Sequence, residues 1–256
     1  MQIRLSGKTA VITGTSSGVG LATAMEFMNS DIGYLICVDK TPKVPARLAD
    51  LVAKEPDRIA VLVGDVSQSQ THARCIELAL ERTGRLDILI NNAGVSVVKP
   101  LHEHDEQEWD FVMDTNVKSL YWAAKHAIPV MMQQRSGVIL NSGSISGHVG
   151  IPKQGAYGPS KGALHQMTRQ MAIEYASYGI RVNAIALGTV DTPIVQWSAN
   201  ASGDPEGFLA MLRNNHPIGR IASPEEVACF FTYLASDHAS FFTGAILSMD
   251  GGFIAH

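Results

Sequence analysis

Tyr157 and Lys161 stand four residues apart, an interval that puts two side chains on one face of a helix, one turn from each other. A phenol with an ordinary pKa of about 10 is a poor base at neutral pH. An ammonium beside it stabilises the phenolate, so the pair could take the hydroxyl proton of an alcohol. The spacing alone is weak evidence, because six Tyr and nine Lys in 256 residues generate about 0.2 such pairs by chance.

A second constellation precedes these. Thr13-Gly14-Thr15-Ser16-Ser17-Gly18-Val19-Gly20 follows a β-branched apolar run and leads into the helical pattern from Leu21 to Asn29. Glycines here permit a tight turn and let the backbone approach a pyrophosphate, whose charge rests on the free N–H groups of the helix start. Asp39, 19 residues past Gly20, can accept both ribose hydroxyls of an adenosine and would repel a 2'-phosphate, which favours NAD over NADP. Lys40 beside it would soften that preference.

These groups need a scaffold. Continuous apolar runs occur at Thr9 to Thr13, Tyr34 to Val38, Ile59 to Val63, Leu86 to Asn91 and Gly137 to Asn141, as strands covered on both faces should read. Helical patterns at about 18 to 29, 43 to 54, 69 to 83 and 106 to 133 separate them. A helix near 157 to 177, a strand Arg181 to Ala186, a helix Pro224 to Leu234 and a strand Ala245 to Met249 complete the order. Strand-helix alternation implies right-handed crossovers, so the expectation is α/β: a single doubly wound Rossmann-type domain over 1–256, with a seven-stranded parallel sheet and about six main helices on its two faces. Gly188 to Ile221, with Pro193, Pro205 and Pro217, breaks the rhythm and reads as an irregular lid at about 189–221.

With 46% hydrophobic and 17% charged residues, the chain can bury a large core, which excludes disorder. A net charge of −4 offers no basic excess to neutralise a phosphate backbone, so no nucleic acid partner is expected. No window approaches 18 consecutive apolar residues, and Met1 to Lys8 lacks the regions of a signal peptide; no membrane partner and a cytoplasmic location are expected. Cys37, Cys75 and Cys229 are few and far apart, which reads as reduced, buried thiols. His102-Glu103-His104-Asp105 looks ligand-rich, but His at i and i+2 do not share a helix face. Asp105 reads instead as a helix N-cap with Glu108 closing a capping box, and no metal is expected.

The spacing of Gly14, Gly18 and Gly20, taken with Asp65-Val66, Asn91-Asn92-Ala93-Gly94, Asn116, Ser144, Tyr157-Gly158-Pro159-Ser160-Lys161 and Arg181-Val182-Asn183, resembles the short-chain dehydrogenase/reductase (SDR) family over about 10 to 250. The resemblance implies Tyr157 as acid/base, Ser144 as the donor that holds the substrate oxygen, and Asn116 as anchor of a water relay to Lys161, which also donates to the nicotinamide ribose. It implies NAD contacts from Gly14, Ser16, Ser17, Gly18, Val19, Gly20, Asp39, Asp65 at the adenine amino group, Val66 at the ring, Asn92, Ala93 and Gly94 near the ribose, and Leu187, Gly188, Val190 and Thr192, the last two at the carboxamide. Leu187 departs from the pattern, since the family usually has Pro there. Pro159 must lie in the first turn of its helix to be tolerated. A homotetramer, using the helices at 106 to 133 and 157 to 177 and the C-terminal strand, is also implied.

Candidate substrate-wall residues are Ser96, Ser146, His148, Gln154 and Trp197, with Phe208 and Leu212, a mixed set suited to a small or medium secondary alcohol or its ketone, cyclic or polyhydroxylated. Two rivals stand beside this reading. An NADPH-dependent carbonyl or 3-oxoacyl-acyl-carrier-protein reductase shares the four catalytic residues, but should carry a basic residue near Ser17 or Lys40 and lack Asp39. A non-catalytic dinucleotide-sensing protein should have lost Tyr157 or Lys161, and neither is lost.

Overall fold

The computed structural model describes residues 3–255. Its strands are β1 (Thr9–Thr13), β2 (Tyr34–Asp39), β3 (Ile59–Val63), β4 (Ile88–Asn91), β5 (Gly137–Ser142), β6 (Ile180–Leu187) and β7 (Ile246–Met249). They form one parallel sheet in the order β3-β2-β1-β4-β5-β6-β7. The order reverses between β1 and β4, and the crevice outside the carboxyl ends of those two strands is where doubly wound sheets bind ligands.

Alternate residues of each strand feed opposite cores. Ala10, Ile12, Leu35, Cys37, Ile88 and Leu140 face one side, packing on Phe27 of α1 (Gly18–Asn29), Leu48 of α2 (Ala46–Lys54) and Phe231 of α9 (Pro224–Ala235). Val11, Ile36, Val38, Leu89 and Ile139 face the other, against Ile76 of α3 (Ser69–Thr83), Ala127 of α5 (Ser119–Gln134) and Met171 of α6 (Tyr157–Tyr175). Burial on both faces explains why the strands carry continuous apolar runs.

Two expectations need correction, and a third is refined. The pattern at 106 to 133 is helical throughout, but a π-helical turn, Asp114–Lys118, lies inside it between α4 (Glu106–Met113) and α5. The segment from Gly188 to Ile221 is not irregular, because it contains α7 (Pro193–Ala201) and α8 (Pro205–Asn214). Pro193 and Pro205 open those helices at the first position, where the missing N–H costs nothing. Cys37 and Cys75 are buried, but Cys229 is exposed on α9. Pro159 does lie in the first turn of α6, and Asp105 and Glu108 do form the capping box of α4.

No helix among the described residues is long and apolar enough to cross a membrane. Among them no group of three or more His, Cys, Asp or Glu side chains gathers around a common point.

Candidate active site

The glycine turn is built by steric necessity. Gly14 and Gly18 have φ of 75° and 53°, backbone that favours glycine. A Cβ on Gly20 would stand 2.1 Å from the Gly14 carbonyl oxygen, so nothing larger than glycine fits there as built. Ser17 caps α1 with extended backbone and no side-chain hydrogen bond, and no acidic residue occupies the first turn. The N–H groups of Gly18, Val19 and Gly20 therefore have neither an intrahelical partner nor a capping carboxylate, which is the arrangement an anion requires.

Neighbouring elements lock this turn. Gly14 N donates to Val38 O at 2.8 Å, and the Asn92 amide donates to the carbonyls of Thr13 and Gly14 at 3.0 and 3.3 Å. The Asn92 side chain is thus spent on the turn itself. Thr13 Oγ1 accepts from the backbone N–H groups of Asn92 and Ala93, both at 3.1 Å. Ser16 N donates to Asp39 Oδ2 and Thr41 N to Asp39 Oδ1, each at 2.9 Å. Burial pushes the Asp39 carboxyl upward, but the hydrogen bonds from Thr41 and Ser16 outweigh it and hold the group below the usual carboxylate value. A negative charge therefore stands at the rim of the turn. Lys40 is drawn aside, its Nζ 5.6 Å from the centre of the Phe111 ring. Asp65 is exposed and accepts from Ser67 N at 2.9 Å; Val66 is buried, its carbonyl bonded to His72 Nε2 at 2.8 Å.

Beyond β4, β5 and β6 lies the second cluster. Lys161 is 4% exposed, and its Nζ donates to Ser142 O at 2.7 Å while standing 5.5 Å from the centre of the Tyr157 ring. Burial lowers the Lys161 ammonium to about 8. Burial also raises the Tyr157 phenol, with the Ser144 hydroxyl pulling it back in part. Ser144 caps a short 3-10 turn, its Oγ accepting from Ser146 N at 3.2 Å and donating to Ser146 Oγ at 3.1 Å.

Asn116 sits in the π-turn, a feature common at functional positions. Its amide is fully occupied: Val95 N donates to Oδ1 at 2.8 Å, and Nδ2 donates to Val95 O at 2.8 Å and Ser160 Oγ at 3.0 Å. It fixes the backbone beside Gly94, where a Cβ would meet Asn116 Oδ1 at 3.3 Å and Lys161 Nζ at 3.6 Å. Gly94 is therefore the bare floor between the relay candidates. The segment after β6 closes the far wall: Val190 bridges to Ala222, and Thr192 Cγ2 would stand 3.1 Å from a Cβ on Gly18. The two constellations thus meet along one crevice.

Of the substrate candidates, Ser146, His148 and Gln154 line one cavity of about 270 Å³, with Gly147, Ile151, Gly158 and Pro159 among its other walls. Ser96 and Trp197 do not line it, and Trp197 is 70% exposed on α7. A larger open depression of about 490 Å³ lies against Cys229, Phe230, Tyr233 and Met249 and shares no residue with the site.

Several supporting residues were invisible to motif reasoning. His165, one turn past Lys161, is wedged against Gly143 and Gly147, and burial lowers it to about 4, so it is neutral under the Ser144 loop. Asn91, Asn141 and Thr168 form a buried chain of side-chain hydrogen bonds at 2.9 and 2.8 Å tying β4 and β5 to α6. The only sequence signal for it is the presence of two amides inside apolar strands.

The depressed Lys161 value has a consequence for stability. The folded chain holds this proton more weakly than the unfolded chain, whose lysine keeps its value of 10.5. Between about pH 8 and 10.5 the unfolded state binds more protons, so this residue makes stability rise with pH. Lys161→Met should remove about 2 kcal/mol of that rise between about pH 7.5 and 10. Urea unfolding of both proteins at the two pH values measures it, and an unchanged slope refutes the desolvated ammonium.

A family model described as enoyl-(acyl carrier protein) reductase matches residues 14–254. The chain is 37% identical over 249 residues to the cis-4-hydroxycyclohexanecarboxylate dehydrogenase of Sinomonas cyclohexanicum, covering 97% of each. It is 33% identical over 252 residues to the 3-oxoacyl-acyl-carrier-protein reductase of Thermotoga maritima, covering 98% of this chain and 100% of that one. Among solved structures, levodione reductase superposes with a TM-score of 0.93 at 30% identity, over 98% of this chain and 99% of that one. With the family model spanning nearly the whole chain, and the sheet order and relatives in agreement, the protein belongs to the short-chain dehydrogenase/reductase family of oxidoreductases.

Proposed function

We propose that the protein interconverts a secondary alcohol and its ketone with NAD as the hydride carrier. The observation that carries this reading is Lys161: a nearly buried ammonium, held by one carbonyl and set beside a phenol, is costly to fold and is what proton transfer at Tyr157 needs. When bound, the dinucleotide would supply the hydride acceptor or donor. The bare, rigid turn at Gly14–Gly20 and the uncapped start of α1 fit its pyrophosphate, and Asp39 fits an unphosphorylated ribose. Tyr157 exchanges the hydroxyl proton, Ser144 holds the substrate oxygen, and Lys161 favours the phenolate.

A cyclic secondary alcohol is the first substrate class to test. Gln154 Oε1 is buried at the cavity without a hydrogen-bond partner, so it can accept from a polar group on the substrate. The dehydrogenase from Sinomonas, whose name carries a hydroxylated cyclohexane ring, supports the same class.

The second reading, an NADPH-dependent carbonyl or 3-oxoacyl-acyl-carrier-protein reductase, draws on the Thermotoga relative. Comparison of kcat/KM with NAD and NADP separates the two. NAD should be preferred at least about a hundredfold, and Asp39→Ser should narrow the gap about tenfold by removing the charge opposed to the 2'-phosphate. Equal values in the parent would favour the second reading. A homotetramer, implied by family resemblance and supported by the 102% exposed Phe241 and 82% exposed Ile173, is checked by light scattering; a mass of 27.5 kDa overturns it.

A further inference from the structure

His216 lies outside both motif sets, immediately after α8, and is 3% exposed. Its ring joins three segments distant in sequence. Nδ1 bonds to Leu212 O at 2.7 Å, on the last turn of α8. Nε2 accepts from Thr189 N at 3.0 Å, in the segment that follows β6. The ring meets Phe253 edge-on, with centroids 5.5 Å apart, in the turn after β7. A carbonyl can only accept and an N–H can only donate, so Nδ1 carries the proton and the imidazole is neutral in this arrangement.

The surroundings leave the ring no slack. A Cβ on Gly188 would stand 2.8 Å from His216 Nε2 and 2.9 Å from Asp250 Cα. Gly251 has φ of 58°, and its carbonyl accepts from Ile218 N at 3.1 Å. Downstream of the ring, Ala222 N donates to Thr189 O at 3.0 Å and Asp191 N to Ala222 O at 2.8 Å.

This network sits where the chain departs from its family's pattern. Leu187 continues β6 in register with Met249, and Gly188 N donates to Met249 O at 3.1 Å. The rigidity a proline ring would give the exit from β6 is here assembled from hydrogen bonds. Of these, the bond to Thr189 N is the one made by a side chain, and that side chain also holds α8.

We propose that His216 is a positioning residue: it fixes Gly188–Thr192 for the nicotinamide end of the dinucleotide and couples that segment to α8, so the two move together. The proposal rests on the dinucleotide-dependent reading above. Its acceptor at Nε2 holds Thr189 N, and its donor at Nδ1 holds the end of α8, which makes the two duties separable.

Isosteric amides separate them. In His216→Gln the side-chain oxygen can reach the Nε2 position and keep the acceptor for Thr189 N. In His216→Asn the amide N–H can keep the bond to Leu212 O, while Thr189 N is left unsatisfied. NADH and ADP-ribose affinities, and KM against kcat for NAD, are measured for parent and both variants, with melting temperature as the check on folding. We expect His216→Asn to weaken NADH about tenfold and raise KM for NAD in step, with ADP-ribose, which lacks the nicotinamide, bound as in the parent. His216→Gln should restore NADH affinity to within about threefold of the parent. Equal loss of ADP-ribose and NADH, or equal losses in the two variants, would show a general packing role and overturn the proposal, as would parental NADH affinity in His216→Asn. A parent that binds neither ligand would overturn the dinucleotide reading instead.

Discussion

Tyr157→Phe is expected to reduce kcat by at least about a thousandfold while NADH affinity stays within about threefold of the parent. The substitution removes one hydroxyl from a packed helix start and leaves the glycine turn, Asp39 and the backbone around Val190 untouched. Catalysis must then proceed without a group that exchanges the substrate proton. Ser144 is a poor substitute, because an aliphatic hydroxyl is a far weaker acid than a phenol and this one is already shared with Ser146. The uncoupling of binding from turnover is the diagnostic part, read by nicotinamide fluorescence against steady-state rates. Retained turnover would sink the proton-transfer role, whereas joint loss of binding and activity would point to a structural one.

Gly20→Ala is expected to weaken NADH binding at least about a hundredfold. The added methyl would stand 2.1 Å from the Gly14 carbonyl oxygen and 2.6 Å from the Asn92 amide nitrogen. Neither partner can yield cheaply: Gly14 is tied to Val38 O, and Asn92 to the carbonyls of Thr13 and Gly14. Overpacking of this kind costs about 1–3 kcal/mol, and the turn can relieve it only by opening, which disperses the N–H groups aimed at the pyrophosphate. Gly150→Ala is the control, since a Cβ there meets nothing within 4 Å. If Gly20→Ala binds NADH like that control, the turn is not the pyrophosphate cradle.

Much of the scaffold could be read before the structure. β1 and β3 fall on the expected residues because their apolar runs end abruptly in polar or glycine positions, and α3 ends at Thr83 because Gly84 adopts φ of 71°. β4 begins later than its apolar run suggests. Leu86 N is taken by the Gln134 side chain at 2.8 Å, and Asp87 turns its carboxylate to Thr9 N and Arg85. Prolines 193 and 205 misled in a different way, since the same residue that breaks a helix interior opens a helix at its first position. The candidate site was legible wherever residue type fixes chemistry, as at Tyr157, Lys161 and Asp39. It was illegible where an ordinary residue acts through position: His216, His165 and Asn141 carry no motif, and only the fold brings them beside the crevice.

The π-turn between α4 and α5 gives this stretch a fixed count. It holds one residue more per turn than an α-helix, and the wider turn absorbs that residue so that α4 and α5 stay in phase; removing it would let the ladder run through unbroken and erase the turn that carries Asn116. Asn116 would then leave Val95, while α4, with its Asp105 cap and the Lys99–Glu108 pair, would keep its facing. The count of residues here is therefore tied to the placement of Asn116. Among descendants of this sequence, gaps and insertions should accumulate at the bend near Gly203 and be absent from Glu106 to Gln134.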